Sequence, residues 1–142
     1  MKFFISMYNN LKLVLFYLIF TMGNLSAQEV YDYRVKNSSN AAERTKMLDI
    51  LRASLYQEHQ QEFVFVVKKL YVSAGFAWFE GDAQRKDGRR VVVPKYADCC
   101  HVEALFKRSK GKWYIVEANA FSTDVWWDGL WDRTGAPKKI FF

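Results

Sequence analysis

The sequence has only two cysteines, Cys99 and Cys100, and they are adjacent. Small exported domains that depend on disulfides carry several cysteines spaced along the chain. The chain is therefore expected to rely on its hydrophobic core. The redox state of the two thiols, a strained vicinal disulfide included, stays open.

Histidine is equally scarce, since His59 and His101 are the only two. Histidine acid–base catalysis therefore has few candidates. His59 lies between Glu58 and Glu62, a pattern typical of a solvated helix end. The sequence also lacks a serine nucleophile elbow, a phosphate-binding loop and a dinucleotide fingerprint. These absences favour a protein without catalytic residues or a cofactor.

Basic residues form no extended cluster. The formal net charge is +6, of which Lys2 and Lys12 supply two, leaving +4 for the rest of the chain. The densest basic runs, residues 85–90 and 107–112, each contain a glycine and are predicted to be solvated turns. Nucleic-acid-binding proteins usually carry a clustered basic footprint. The sequence therefore predicts no nucleic-acid partner, and its mild positive excess suits an anionic envelope surface.

The first 27 residues have the pattern of a secretory signal peptide. Two lysines precede an apolar run over residues 13–20, and small residues end the segment at Ala27. Cleavage after Ala27 predicts a periplasmic or extracellular protein with no membrane span. An uncleaved anchor over residues 3–22 is the alternative, and no nearby cysteine supports a lipoprotein anchor.

A single α+β domain is predicted over residues 40–142, after a lead, residues 28–39, that is either flexible or a short edge strand. Asn40 and Glu43 form a capping-box pattern at the start of a helix from Ala41 to about His59. One stripe of this helix is apolar: Met47, Leu48, Leu51 and Leu55. The helix is therefore predicted to lie on a sheet.

About four antiparallel strands are expected after the helix. The richest apolar stretch predicts two of them, residues 63–73 and 76–84, and the first reads as a central strand because both of its faces are apolar. Residues 91–93 can extend a strand up to Pro94. Two further strands, residues 99–108 and 113–121, flank a hairpin loop that contains Gly111.

The C-terminal segment, residues 122–142, is predicted to form a short helix or a tail that docks on the sheet. Three aspartates at four-residue spacing alternate with tryptophans: Asp124, Trp126, Trp127, Asp128, Trp131 and Asp132. On a helix the carboxylates would share a face. The candidate ligand-binding residues are Trp126, Trp127, Trp131, Asp124 and Asp128, a platform for a sugar or cation. The alternative is an acidic solvated face with tryptophans packed on the sheet.

Residues of metal-ligand type occur together once, at Cys99, Cys100, His101 and Glu103. On a strand, Cys99, His101 and Glu103 would share a face. A zinc site usually draws three or four ligands from two elements, and the sequence has no second cluster. No metal site is therefore predicted, and a buried thiol with exposed polar neighbours is the expected arrangement.

Three segments carry a resemblance to known folds. They are Arg44-x-x-Met47-Leu48-Asp49-x-Leu51-Arg52, Phe63 to Gly81, and Gly111-Lys112-Trp113. A helix followed by an antiparallel meander resembles the cystatin-like and nuclear-transport-factor-2-like α+β folds, and the three segments resemble small, uncharacterised exported bacterial proteins. The resemblance implies a curved sheet around one helix. It implies no activity, because such folds include enzymes, binding modules and accessory domains.

Three functions fit these observations. The first is a non-enzymatic binding or accessory domain for a small molecule or an envelope protein. The second is a small-molecule enzyme with a pocket between helix and sheet, reached by His59, His101, Asp98 or Glu103. The third is an inhibitor or structural partner of another exported protein. The oligomeric state is not predicted.

Overall fold

An open sheet of five antiparallel strands forms the centre of the molecule. The computed structural model describes residues 28–142, and the predicted signal peptide lies outside the described residues. The strands follow one another in sequence order: β1 (Tyr31–Asp32), β2 (Phe63–Ser73), β3 (Phe76–Arg85), β4 (His101–Ser109) and β5 (Lys112–Ala120). The α+β class is confirmed. The strand number is five instead of about four, because the lead adds β1.

Strand β1 pairs with the C-terminal end of β2, so residues 28–39 include the edge strand, one of the two alternatives that the sequence leaves open. Arg44 anchors the lead from the helix, with its Nε and Nη2 donating to the carbonyl oxygens of Tyr33 (3.0 Å) and Arg34 (3.2 Å). Burial lowers the pKa of Arg44, because a buried charge loses hydration.

Helix α1 (Ala41–His59) begins and ends where the sequence predicts. Its apolar stripe is buried against one face of the sheet, as predicted: Met47, Leu48, Leu51 and Leu55. The helix ends at Gln60, which has a left-handed φ of 54° and donates its N–H to the Tyr56 carbonyl. Such a residue satisfies a carbonyl that the last helical turn leaves free.

The predicted capping box at the start of α1 is wrong. Asn40 is 1% exposed, and its amide faces the preceding chain. There Oδ1 accepts from Asn37 N–H (2.9 Å) and Nδ2 donates to the Val35 carbonyl (3.0 Å). Glu43 instead joins the helix to the sheet through an ion pair with Arg108 of β4, at 2.8 Å. A buried amide needs partners at both ends, and the lead supplies them.

A β-bulge in β2 changes which side chains face the helix. The register shifts between Val67 and Lys69. Strict alternation would place Leu70 and Val72 opposite Phe63, yet all three belong to the helix-side core. The extra residue reverses the alternation, because side chains alternate with a period of two.

The prediction that residues 63–73 form a central strand covered on both faces is confirmed only in part. Strand β2 lies inside the sheet, between β3 and the short β1, which pairs with only one end of it. Its other end is not covered on both faces, since Val64 and Val66 are exposed, at 37% and 47%. Residues 91–93 form no strand, although Val91 is buried in the helix-side core.

The face of the sheet opposite α1, here called the second face, is partly covered by the C-terminal segment. This segment contains helix α2 (Leu130–Thr134) and a 3-10 turn (Lys138–Ile140). Leu130, Ile140 and Phe141 are buried there in one cluster with Trp78 and Leu105. The predicted docking of the tail on the sheet is confirmed, and the sheet has a core on each face.

Neither helix between residues 28 and 142 combines the length and the apolar character needed to cross a bilayer.

Candidate functional site

The three candidate tryptophans pack on the second face around Trp78. Trp126 and Trp127 lie with their ring centroids 5.9 and 5.8 Å from that of Trp78. Trp131 contacts Trp127 and Phe141, at 6.5 and 5.5 Å. All three are only partly buried, so this aromatic cluster combines a structural role with an accessible surface.

The aspartates of this segment do not share one face of a helix. Helix α2 begins at Leu130, and turns precede it. Asp124 and Asp128 therefore lie outside the helix, and only Asp132 lies within it. Ser122 accepts the Asp124 N–H through its hydroxyl, at 3.1 Å. Asp124 and Asp128 are exposed.

A second group of polar residues lies on the second face beside the C-terminal segment. It draws from three adjacent strands, and we call it the ionic cluster: Lys68, Lys69, Glu80, Asp82, His101 and Glu103. The pairing of β3 with β4 places Asp82 opposite His101 and Glu80 opposite Glu103. These four side chains therefore share one face of the sheet.

Each carboxylate of the cluster has a nitrogen partner. Lys68 Nζ lies 2.8 Å from Asp82 Oδ1, and Lys69 Nζ lies 3.0 Å from Glu80 Oε2. His101 Nε2 lies 3.1 Å from Glu103 Oε1, while its Nδ1 lies 3.9 Å from Asp82 Oδ1. The imidazole thus lies between two carboxylates from neighbouring strands, within hydrogen-bond distance of Glu103 and farther from Asp82.

Glu103 joins the ionic cluster to the aromatic cluster. It is 7% exposed, and its Oε2 accepts a hydrogen bond from the Trp126 indole N–H at 2.7 Å. Lys69 makes a second link, since its Nζ lies 3.4 Å from the Phe141 carbonyl oxygen. A buried carboxylate is tolerated only with such partners, so the position of Trp126 is fixed relative to His101.

The ionic cluster is accessible. The exposed side-chain fractions are 46% for Lys68, 38% for Asp82 and 31% for His101. Val64 and Val66 lie beyond it on the same face of β2, and both are exposed. The second face therefore has a half covered by the C-terminal segment and an open half bordered by Trp126.

His59 lies in a different environment from the predicted solvated helix end. Its side chain is 11% exposed and packs on Phe63 and Phe121, with ring centroids 6.2 and 4.9 Å away. Its Nε2 has no hydrogen-bond partner among residues 28–142. The strand that follows turns this helix end inward, onto the helix-side core.

The sulfur atoms of the two adjacent cysteines lie in direct contact. Cys99 is exposed and Cys100 partly buried, whereas Glu103 is buried. This is the reverse of the buried thiol and exposed polar neighbours that the sequence predicts. Within residues 28–142, no three His, Cys, Asp or Glu side chains are arranged to hold a metal ion.

The space between helix and sheet is filled by the helix-side core. Three surface depressions lie at its margins, with volumes of about 320, 400 and 440 Å³. Arg52, Tyr56 and Phe63 contribute to the first, and Lys46 and Trp113 to the last. None of these three linings includes His59, His101, Asp98 or Glu103, so they do not form the catalytic pocket that the enzyme hypothesis predicts.

The sequence patterns indicate Trp126, His101 and Glu103, but as members of separate features. They do not indicate Lys68, Lys69, Glu80 or Asp82. These residues meet His101 and Glu103 only through long-range strand pairing, because a loop of about 15 residues separates β3 from β4. Their juxtaposition depends on sheet register, which no local motif specifies.

The fold and the site define an α+β domain with one helix on one face of the sheet and a partly open polar surface on the other. No family model matches the sequence, and neither the curated proteins nor the solved structures give a significant match.

Proposed function

We propose that this chain is an exported, non-enzymatic binding domain whose ligand surface is the open half of the second face. Export rests on the signal-peptide pattern of residues 1–27. The ligand surface comprises the ionic cluster and its border at Trp126. Its location is supported by packing, since α1 and its core fill the opposite face.

The link between Trp126, Glu103 and His101 is the observation that carries the proposal. It holds a partly exposed indole, a buried carboxylate and a partly exposed imidazole in fixed relative positions. Binding surfaces typically place a few oriented polar groups beside aromatic side chains, and aromatic residues concentrate where binding energy is gained. A surface needed only for solubility requires no such buried link.

A thermal-shift screen tests this proposal on the purified chain. The panel contains sugars, divalent metal salts and small anions, because a compound that binds the native state raises the Tm by mass action. A compound that raises the Tm is then tested on His101→Gln. The proposal expects the shift to be reduced or lost.

Glu58→Gln is the matched control, since Glu58 is an exposed residue of α1. It should leave the shift unchanged. A shift that Glu58→Gln abolishes and His101→Gln preserves would place the ligand on the other side of the molecule and refute the proposal.

A second candidate function is catalysis at His101. An imidazole oriented by a buried carboxylate is a common arrangement for a general base, and Glu103 supplies that carboxylate. The reactive site would then lie on the second face instead of between helix and sheet. If the protein converts a compound of the same panel into a product, and His101→Gln abolishes that turnover, the result would favour an enzyme over a binding domain.

We also propose that the fold is related to the cystatin-like and nuclear-transport-factor-2-like folds. The order of one helix and then an antiparallel meander supports this relationship. An experimental structure in which the sheet is flat, with no curvature around α1, would argue against it.

A further inference from the structure

We infer that the ligand of the open second face is a neutral carbohydrate, and specifically a short chain of sugar units. This inference rests on the proposed binding function and names the class of ligand. Three properties of the surface support it: the balance of its charges, the kind of polar groups that it presents, and its open shape.

The charged groups of the ionic cluster are already paired within the protein. Two lysines pair with two carboxylates, Lys68 with Asp82 and Lys69 with Glu80. The third carboxylate, Glu103, accepts from the Trp126 indole and lies within hydrogen-bond distance of His101 Nε2. An anionic ligand would approach three carboxylates, and a cationic one would have to displace a lysine ammonium. An uncharged ligand meets neither cost.

The accessible polar groups suit hydroxyl partners. Carboxylate oxygens accept, ammonium groups donate, and an imidazole nitrogen can do either. Asp82, Lys68 and His101 provide all three kinds within one part of the surface, each with 31% or more of its side chain exposed. A sugar hydroxyl both donates and accepts, so it can bond to these groups without breaking the ion pairs.

The apolar border suits the other side of a sugar ring. A pyranose has an apolar face of C–H groups beside its hydroxyl edges, and such amphipathic ligands need an aromatic or aliphatic neighbour next to polar groups. Trp126 supplies an aromatic neighbour at the edge of the C-terminal segment, and exposed Val64 and Val66 supply an aliphatic neighbour on β2. Lys68, Asp82 and His101 lie between these borders.

The surface is open and spans three strands, so it offers little enclosure to a single sugar. Adjacent strands lie about 4.8 Å apart, and the distance across β2, β3 and β4 is therefore about 10 Å. That span fits roughly two sugar units. A chain of several units is expected to bind more tightly than a monosaccharide, because each further unit adds contacts after the entropy of association has been lost once.

Isothermal titration with four hexasaccharides tests the inference. Two are neutral, the hexamers of glucose and of N-acetylglucosamine. The hexamer of glucosamine is cationic and shares its backbone with the acetylated one, and the hexamer of galacturonic acid is anionic. Saturable binding of at least one neutral hexamer is expected, tighter than binding of either charged hexamer.

Two aspartate variants form a matched pair. Asp82→Asn removes an accepting oxygen from the open face, and it should weaken neutral-hexamer binding about three- to tenfold, the usual effect of one hydrogen bond. Asp49→Asn changes an exposed aspartate on α1 that pairs with Arg52, and it should leave binding unchanged. The Tm of both variants should stay near that of the native chain, because both aspartates lie outside the core.

The outcomes separate the two proposals. Binding of a charged hexamer alone, weakened by Asp82→Asn, would overturn the carbohydrate class while the binding function stands. Neutral-hexamer binding that Asp82→Asn leaves unchanged would overturn the assignment of the sugar to this face. No binding of any hexamer, together with no response in the metal and anion screen, would overturn both.

Discussion

At the scale of single residues, Gly81 shows how one position maintains the register of the sheet. A Cβ at this position would lie 2.5 Å from the Val66 carbonyl oxygen and 2.8 Å from Phe79 Cζ. Gly81 pairs with Val67 beside the bulge of β2. The strands approach closely there, and only glycine fits without a backbone shift.

Gly81→Ala should lower the free energy of unfolding by about 3 kcal/mol, as overpacking against backbone does. Urea denaturation measures the change. Gly88→Ala is the control, because Gly88 has a positive φ of 74° with no atom within 4 Å of the added Cβ. Its cost should be about 1 kcal/mol, from backbone conformation alone. Equal effects of the two variants would contradict the close approach at Gly81.

His59 has a buried ring nitrogen without a hydrogen-bond partner in the described residues. Its buried Nε2 lies 3.8 Å from Glu58 Oε1, beyond hydrogen-bond distance, and has no other partner within residues 28–142. His59→Phe should therefore raise the free energy of unfolding by about 1 kcal/mol, because an unsatisfied buried polar atom is removed. Chemical denaturation of both proteins gives this difference, and a loss of stability would show that Nε2 has a partner.

Asp87 illustrates the electrostatics of an exposed turn. Its pKa lies below the ordinary value, chiefly because the Arg85 guanidinium donates to it, and also because it accepts the Arg89 N–H. A carboxyl group whose pKa is lowered in the folded protein stabilises the fold at pH values above the ordinary pKa of aspartate. This contribution is lost as the pH falls through the lowered pKa.

Arg85→Gln should raise the pKa of Asp87 toward the ordinary value, measured by NMR titration of the carboxyl carbon. The matched change Arg90→Gln should leave that titration curve in place, since Arg90 makes no ion pair with Asp87 in the described structure. A curve that moves equally in both variants would indicate a general charge effect instead of a specific pair.

At the scale of elements, the C-terminal segment acts as the second layer of the core. Phe141 is 1% exposed and packs on Trp78, with ring centroids 4.7 Å apart, whereas the adjacent Phe142 is 64% exposed. Phe141→Ala should cost about 3–5 kcal/mol, the usual range for a buried phenylalanine. Phe142→Ala should cost less than about 1 kcal/mol.

Thermal or urea denaturation of the two phenylalanine variants separates these cases. Equal and small effects would mean that the segment is not packed on the sheet in solution. A large effect of Phe141→Ala alone supports a core on both faces.

The elements also show what local sequence patterns can predict. Helix α1 and the β2–β3 and β4–β5 hairpins follow from apolar periodicity and turn residues, and their predicted bounds agree with the structure within two residues. The bulges do not follow, because a single extra residue leaves no composition signal. One such residue lies in β2 between Val67 and Lys69, and the other lies in β5 between Ile115 and Glu117. Each bulge reverses the side-chain alternation beyond it.

The candidate site was predictable only in part for the same reason. Trp126 was singled out because tryptophan is rare and concentrated in the C-terminal segment. Its bond to Glu103 connects residues 23 positions apart, through docking of a segment whose position no motif specifies. Likewise, Asp82 meets His101 by pairing across the long β3–β4 loop.

At the scale of the whole molecule, the two faces of the sheet differ in kind. The helix-side face is closed by one continuous apolar core, and the second face is divided between the docked C-terminal segment and the open ionic cluster. A ligand that binds the open half would contact Trp126 and therefore the segment that stabilises the fold. Ligand binding is expected to raise the Tm by mass action, because this surface is complete only in the native state with the segment docked.

The central claim is that the second face carries the ligand surface, and the indole N–H resonances of the tryptophans test it most directly. A neutral hexasaccharide titrated into the ¹⁵N-labelled chain should shift the Trp126 indole resonance and the amides of residues 101–103. The indole of Trp113, buried in the helix-side core, should stay in place. Shifts of Trp113 and α1 with an unchanged Trp126 would contradict the account.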